Sequence, residues 1–248
     1  MATATITAAT LVKLATFDTP TICNVIELFD VRPRDAGYMD GHIRAAFPEM
    51  PAMVGFAATA SFRAGSPGRE SAYVALEEQI QQFEQLAGPA VVVFQDLDDP
   101  AVGATFGEVM CSTYRAFGSV GLITSGGGRD LLQVRALNYP VFTGGTICSH
   151  AYCQILDVGS PVRIGGLPVY TGDLLHGDAN GVTNIPLEIA AEVADAGDEF
   201  VAAELHVLEY VRGTGPKRPA ELADKRRAMA EAIAALRRRV SRRGKSAM

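Results

Sequence analysis

PAVVVFQDL (residues 89–97) and GLITSGG (residues 121–127) are the two apolar segments that decide the fold. Each is short and apolar, and the first is rich in β-branched residues, as is typical of a buried strand. Between them, ATFGEVMCSTYRAFGSV (residues 104–120) is predicted to form a helix that ends at Gly118. A strand, a helix and a strand in this order make a β-α-β unit, which predicts an α/β fold with parallel strands.

The flanking sequence extends this pattern on both sides. The predicted helices lie at 18–31, which opens with a Thr-Pro signal, at 73–87 and at 187–213, and the predicted strands are MVGFAATASF inside 42–65 and several short segments in 159–186. No strong linker precedes residue 214. We therefore expect one compact α/β domain over 1–214, followed by a basic C-terminal helix or tail over 215–248.

The composition is that of an ordinary globular protein. Of 248 residues, 48% are hydrophobic, so a large core can form without disulfides. The four cysteines, Cys23, Cys111, Cys148 and Cys153, have apolar or small neighbours and are interpreted as reduced thiols. Without a secretory leader or an apolar run of about 18 residues, we expect a cytoplasmic protein with no membrane partner.

The charge is unevenly distributed. Residues 225–248 contain nine Lys/Arg and one acid, a net charge of +8; since the whole chain carries −6, residues 1–224 carry −14. A basic end can bind RNA, a membrane surface or an acidic partner. Residues 228–240 favour a helix, so the same cations are also consistent with a solvated helix end that faces the helix dipole.

The glycine-rich stretch SGGGRD (residues 125–130) follows the second strand of the unit, where open α/β sheets often bind ligands. Glycines in a turn suggest phosphate binding, but no segment matches the P-loop pattern G-x-x-x-x-G-K-[ST]. The spacing also departs from the dinucleotide pattern G-x-G-x-x-G, because the glycines are crowded on one side. Nucleotide binding is therefore disfavoured.

Two other kinds of site fit the sequence less well. Cys148, His150 and Cys153 have the donors of a zinc site, but a structural site usually takes four ligands in two paired clusters. A nucleophilic triad would need a serine near a histidine, and the chain has no G-x-S-x-G elbow.

Arg129 and Asp130 carry the remaining candidate site. They could form a surface pair in which Asp130 caps a helix. Alternatively, Asp130 could hold a hard cation such as Mg²⁺, which often takes one or two protein carboxylates, while Arg129 forks onto a substrate carboxylate. A 2-oxo acid would suit both groups. Upstream, the free N–H groups of residues 107–110 at the start of the predicted helix form an anion site.

Three motifs resemble the RraA-like family. They are GEVM followed after eighteen residues by RD (residues 107–130), TPTICNVIE (residues 19–27), and VYTGDLLHGDANGVTNIP (residues 169–186). The resemblance covers roughly residues 17–213. The family includes 4-hydroxy-4-methyl-2-oxoglutarate aldolases, which also decarboxylate oxaloacetate, and regulators of ribonuclease E activity.

The resemblance implies a fold, an assembly and a site. The expected fold is a layered α/β sandwich with a central, swivelling-domain-like β-barrel in a single domain, assembled as a homotrimer or homohexamer with sites near subunit interfaces. Backbone at Gly107, Glu108, Val109 and Met110 would bind a small-molecule 2-oxo acid. Arg129 would bind the substrate, and Asp130 would hold Mg²⁺ or Mn²⁺. No nucleic-acid partner is expected.

Arg129 and Asp130 are also the catalytic residues in this interpretation. Cleavage of a 4-hydroxy-2-oxo acid, or decarboxylation of oxaloacetate, leaves a pyruvate enolate whose negative charge a cation stabilises. No Schiff-base lysine is required, and Lys13 and Lys217 are the only lysines before residue 225.

The sequence departs from the family pattern in several places. Gln133 replaces an acid that helps the aldolases hold a water, Glu108 replaces an aspartate, and residues 40–50 and the basic tail lie outside the common core. Two alternatives therefore stay open: a non-catalytic regulator of a protein or RNA partner, and a lyase or hydratase for a sugar-acid-derived 2-oxo acid. The roles of His42, His176 and Glu204 are left open.

Overall fold

The β-α-β unit forms as predicted. In the computed structural model, which describes residues 6–68 and 72–243 (without the side chains of 72–74), β3 (Ala90–Asp96) and β5 (Ser119–Thr124) are parallel neighbours joined through α4 (Glu108–Ala116). Val92 and Phe94 of β3 pack into one core cluster, and Val91 and Val93 pack into another. The strand is buried on both faces because successive side chains point to opposite sides of a sheet.

The remaining elements extend this unit. The other helices are α1 (Ala8–Leu14), α2 (Thr19–Phe29), α3 (Ala72–Gln82), α5 (Leu131–Ala136), α6 (Ala190–Arg212) and α7 (Pro219–Val240), with 3₁₀ turns at Phe83–Gln85 and Leu187–Ile189. The other strands are β1 (Arg44–Ala45), β2 (Met53–Arg63), β4 (Ala104–Phe106), β6 (Gly127–Gly128), β7 (Val141–Thr143), β8 (Gly145–Thr146), β9 (Gln154–Leu156), β10 (Val162–Ile164), β11 (Leu167–Val169), β12 (Leu174–Asp178) and β13 (Gly181–Ile185).

The main sheet is mixed and curls into a nearly closed, barrel-like shape. Its strand order is β1-β7-β5-β3-β2-β12-β13, and β9 pairs with the far end of β2. The neighbours from β7 to β2 are parallel, and the outer pairs are antiparallel. The predicted class, a single α/β domain with a barrel-like sheet, is therefore confirmed.

A second, smaller sheet corrects one sequence prediction. Residues 104–106 form strand β4 instead of the first turn of the helix, which starts only at Glu108. Strand β4 pairs in parallel with β6, which pairs in parallel with β8. The buried Thr105 and Phe106 suit a strand, and Gly107 separates the strand from the helix.

The basic C-terminal segment forms a helix that packs on the body of the protein. Helix α7 is longer than residues 228–240, and its Leu236 is buried in the core cluster that includes residues of α2 and α6. Arg237 pairs with Asp30, Arg239 with Glu199, and Arg242 with Glu192. Three of the basic residues thus form ion pairs with acids of the body. The domain boundary near residue 214 stays a prediction.

Asp30 is expected to fasten α7 to the end of α2. Its carboxylate accepts hydrogen bonds from Arg237 and from the Ser241 hydroxyl, and these bonds lower the pKa of Asp30. A lowered pKa in the folded state stabilises the protein above the ordinary value of about 4, and this contribution is lost as the pH falls through the folded value. We expect Asp30→Asn to speed tryptic cleavage of α7 at neutral pH. The matched control is Asp224→Asn, because among the residues that the structure describes Asp224 pairs only with Arg227 on the same helix. Equal cleavage of the two variants would contradict this role.

Candidate functional site

The segments singled out in the sequence meet at one cleft of about 440 Å³. The cleft is lined by strand β4 and the start of α4, by the residues after β6, and by a further wall made of residues 150–153. The lining residues are Pro67, Gly68, Leu76, Ala104, Thr105, Phe106, Gly107, Val109, Met110, Arg129, Asp130, His150, Ala151, Tyr152 and Cys153. Five of the six predicted site residues therefore line the same cleft.

Arg129 and Asp130 lie between β6 and α5. The Arg129 N–H donates to the Phe106 carbonyl at 3.1 Å, which ties this turn to β4. Asp130 has a left-handed backbone, with φ 54° and ψ 38°. A left-handed residue other than glycine is uncommon and is concentrated at functional sites. Its carbonyl accepts the first hydrogen bond of α5, from Val134, but its side chain does not cap that helix.

The Asp130 carboxylate caps a different helix. Its Oδ2 accepts a hydrogen bond of 3.0 Å from the Glu108 N–H at the start of α4, and it lies 3.7 Å from Nε of Arg129. A negative charge at this position is favoured by the positive end of the helix dipole. The expected Arg129–Asp130 pair is present, and both side chains are about one-third exposed.

The glycines around this turn permit close approach between neighbouring segments. A Cβ on Gly107 would lie 2.6 Å from Oδ2 of Asp130, and a Cβ on Gly128 would overlap the Phe106 ring. Gly127 and Gly128 are in strand β6, and the left-handed turn is made by Asp130. Close packing of β6 against β4 therefore explains why this segment is rich in glycine.

The start of α4 supplies backbone donors to the cleft. The Glu108 N–H is used by Asp130, whereas Val109 and Met110 occupy the next two positions, whose N–H groups have no acceptor within an α-helix. Glu108 itself points its side chain to solvent and does not line the cleft. The backbone N–H expected from Glu108 therefore bonds to Asp130 in this structure.

The segment that carries the possible zinc ligands forms a wall of the cleft. His150 and Cys153 line it, while Cys148 is exposed elsewhere. Within the described part of the chain, no group of three or more His, Cys, Asp or Glu is arranged to hold a metal ion. Burial raises the pKa of Cys153 more strongly than the cation of Arg129 lowers it, so this thiol is neutral near pH 7.

The sequence did not predict this wall as part of the site. The sequence pattern indicates His150 and Cys153 only as possible metal ligands and does not single out Tyr152. Thr105 and Phe106 had been assigned to a helix. Only the tertiary structure brings these residues together. The Ala104 N–H donates to the Ser149 carbonyl at 2.7 Å, which joins β4 to this loop.

The residues whose roles were open lie outside the cleft. His176 is fully buried, with Nδ1 3.0 Å from the Thr19 hydroxyl and Nε2 3.2 Å from the Leu14 carbonyl, and burial lowers its pKa. His42 is exposed and contacts Asp40. Glu204 lies on α6, and Gln133 is exposed on α5; neither lines the cleft.

Asp130 has the properties of a ligand for a hard divalent cation. It is partly exposed, and within the described residues its Oδ1 accepts no hydrogen bond, so one oxygen is available. Mg²⁺ is commonly held by one or two carboxylates and keeps several waters. The single carboxylate fits Mg²⁺ or Mn²⁺ bound largely through water, and does not fit a closed protein-only metal centre.

Comparison with known sequences identifies the family. The sequence model of a family described as Aldolase/RraA matches residues 19–183, more than half of the chain. This chain belongs to the RraA-like family. A protein of Halalkalibacterium halodurans named "Putative 4-hydroxy-4-methyl-2-oxoglutarate aldolase" is 35% identical over 101 residues, which are 40% of this chain and 48% of that protein. Protein DlpA of Legionella pneumophila is 28% identical over 92 residues, 36% of this chain and 15% of that protein. The match thus spans about half or less of these relatives.

Solved structures support the RraA-like fold. An uncharacterized protein from Pseudomonas syringae superposes with a TM-score of 0.70 at 22% identity, covering 92% of this chain and 97% of that one. Streptomyces coelicolor RraAS2, titled an unusual member of the RNase ES inhibitor RraA protein family, superposes with a TM-score of 0.64 at 23% identity, covering 83% and 96%. At these identities the likeness shows the fold alone. In the described part of this chain, no helix combines the length and apolar character needed to cross a bilayer.

Proposed function

We propose that this RraA-like chain is a divalent-metal-dependent carbon–carbon lyase that releases pyruvate from a 2-oxo acid. The observation that carries the proposal is Asp130, a partly exposed carboxylate held in a left-handed turn beside Arg129 and the start of α4. The substrate class is a 4-hydroxy-4-methyl-2-oxoglutarate-type acid, as the name of the H. halodurans relative suggests. Oxaloacetate decarboxylation is proposed as a second reaction of the same site.

Each side chain has a part in this mechanism. Asp130 would hold Mg²⁺ or Mn²⁺, which supplies Lewis-acid stabilisation of the charge that develops on the 2-keto oxygen. Arg129 binds the 1-carboxylate through its planar fork and adds positive charge near the developing enolate. The Val109 and Met110 N–H groups orient an anionic oxygen of the substrate. Phe106, Leu76 and Met110 supply apolar surface that limits water around the reacting carbons.

The site is also proposed to lie near a subunit interface of a homotrimer or homohexamer. The support is a group of exposed apolar side chains on the helices that border the cleft. Val109 is 65% exposed and Leu132 is 78% exposed. Large apolar side chains left in water on neighbouring helices suit a surface covered by another subunit.

The second candidate function is a non-catalytic regulator that binds a protein or RNA partner through the basic C-terminal segment. The observation that favours it is the exposure of Lys225, Arg226 and Arg238. It is the weaker candidate because Arg237 and Arg242 pair with acids of the body. A lyase for a sugar-acid-derived 2-oxo acid would use the same site and reaction as the first proposal and differ only in its substrate.

The test of the proposed function is pyruvate release in a coupled assay from 4-hydroxy-4-methyl-2-oxoglutarate and from oxaloacetate. We expect turnover with Mg²⁺ or Mn²⁺ and its loss in the presence of a chelator. Restoration by added metal would exclude damage by the chelator itself. Metal-independent or absent release from both compounds would overturn the lyase proposal for these substrates and favour the regulator.

Replacing Gly107 with alanine is expected to damage the site without unfolding the protein. The new Cβ would lie 2.6 Å from Oδ2 of Asp130 and 3.1 Å from Nε of Arg129, so the carboxylate must move and its bond to the Glu108 N–H weakens. Overpacking of this kind costs about 1–3 kcal/mol of stability. We expect pyruvate release to fall roughly tenfold or more, since this displacement costs at least about one hydrogen bond.

Gly145→Ala is the matched control for this substitution. Gly145 lies on β8 of the same small sheet, and a Cβ there meets no atom within 4 Å. Its activity and melting temperature should stay close to those of the wild type. If Gly107→Ala and Gly145→Ala behave alike in both measurements, the steric argument for Gly107 is wrong.

A further inference from the structure

The proposed reaction needs a group that moves protons, and the cleft offers few candidates. Its titratable lining residues, among those described, are Arg129, Asp130, His150, Tyr152 and Cys153. Arginine stays protonated in proteins, so Arg129 cannot accept a proton. Asp130 is occupied by the Glu108 N–H and by the cation that we assign to it. The Cys153 thiol is kept neutral by its raised pKa.

His150 is held in the tautomer that suits proton transfer. Its Nδ1 lies 2.8 Å from the Ala151 carbonyl oxygen. A carbonyl only accepts hydrogen bonds, so Nδ1 must carry the hydrogen in this contact. In the neutral ring, Nε2 is then unprotonated and has a free lone pair. The backbone thus selects Nε2 as the nitrogen able to take up a proton.

The loop that carries His150 is fixed in place. The Cys153 N–H donates to the His150 carbonyl at 3.1 Å, and the Tyr152 N–H donates to the Ala64 carbonyl at 3.2 Å. Ala151, whose carbonyl orients the ring, has a left-handed φ of 44°, which is costly for a residue with a Cβ. Hydrogen bonds on both sides of Ala151 therefore maintain the conformation that aligns its carbonyl with the ring.

We propose that His150 is the acid–base residue of this cleft. The inference rests on the proposed lyase function. Nε2 takes the proton of the C4 hydroxyl while the C3–C4 bond breaks, and C4 becomes a carbonyl. The electron pair of the broken C3–C4 bond forms the C2–C3 double bond of a pyruvate enolate. The protonated ring then returns that proton to C3, which gives the methyl group of pyruvate and regenerates neutral His150. Oxaloacetate has no C4 hydroxyl, so in its decarboxylation Nε2 first takes a proton from solvent water; CO₂ leaves with the enolate remaining, and the ring then delivers that proton to C3.

The proton delivery can be tested without cleavage, because the same transfer exchanges the methyl protons of pyruvate with solvent. The experiment incubates pyruvate, Mg²⁺ and the full-length chain in D₂O and follows deuterium at C3 by NMR, beside pyruvate release from both substrates. We expect His150→Gln to lower exchange and kcat by roughly 10²- to 10⁴-fold, with KM changed only a few-fold. His206→Gln is the control, since His206 is exposed on α6, outside the cleft. Added imidazole should restore part of the exchange in His150→Ala.

The outcomes separate this inference from the function on which it rests. If the wild type releases pyruvate and His150→Gln exchanges and turns over within twofold of it, His150 is not the acid–base residue and the lyase function stands. A loss that imidazole does not restore in His150→Ala assigns His150 a structural role and also overturns the inference. A wild type with neither exchange nor pyruvate release overturns the lyase function, and this inference falls with it.

Discussion

Asp130→Asn is expected to abolish metal-dependent pyruvate release, lowering kcat/KM by roughly 10³-fold, because a Lewis-acid cation contributes several kcal/mol to stabilising the transition state. Asparagine has nearly the same shape, and its carbonyl can still accept the hydrogen bond from the Glu108 N–H. Asparagine also tolerates the left-handed backbone of residue 130. The substitution therefore removes the negative charge and leaves the architecture of the turn intact.

A direct binding measurement accompanies the activity assay. Titration with Mn²⁺, followed by its paramagnetic signal, should show one site in the wild type and loss of that site in Asp130→Asn and Asp130→Ala. Asp157→Asn is the matched control, because Asp157 is also a left-handed aspartate, with φ 45°, and lies outside the cleft. Full activity in Asp130→Ala would refute the assignment of this carboxylate.

Arg129→Ala is the second substitution with a large expected effect. Removing one preorganised donor to a developing oxyanion typically lowers turnover by roughly 10²- to 10³-fold. Because Arg129 binds the substrate before and during the reaction, we expect KM to rise as well as kcat to fall. Arg129→Lys should recover only part of the loss, since an ammonium keeps the charge but lacks the planar fork that matches a carboxylate.

The control for Arg129 is an arginine on a neighbouring element. Arg115 is exposed in the last turn of α4, away from the cleft, and Arg115→Ala should turn over as the wild type does. Steady-state kinetics on both substrates provide the comparison. Should Arg129→Ala change neither KM nor kcat, the guanidinium does not contact the substrate and its pairing with Asp130 would be structural.

Local sequence was sufficient for the elements with strong patterns. Strand β3 begins with five buried apolar residues, three of them valines. Helix α2 begins at the Thr-Pro signal, with the Asp18 side chain accepting a hydrogen bond from the Thr21 N–H. Such patterns depend on residues close together in the chain, so they can be recognised without knowledge of the fold. The bounds of α4 were wrong because the first three residues of the segment, Ala104–Phe106, form β4 by pairing with β6, which a sequence pattern does not reveal.

The sequence by itself determined the α/β class, the β-α-β unit and the two residues at its end, Arg129 and Asp130. Only the tertiary structure decided that Asp130 caps α4, that Gly107 leaves room for its carboxylate, and that His150 lies in the same cleft. The physical reason is the range of the interactions. Periodic burial and helix starts are fixed over a few residues, whereas the cleft is made by hydrogen bonds and packing between segments more than twenty residues apart.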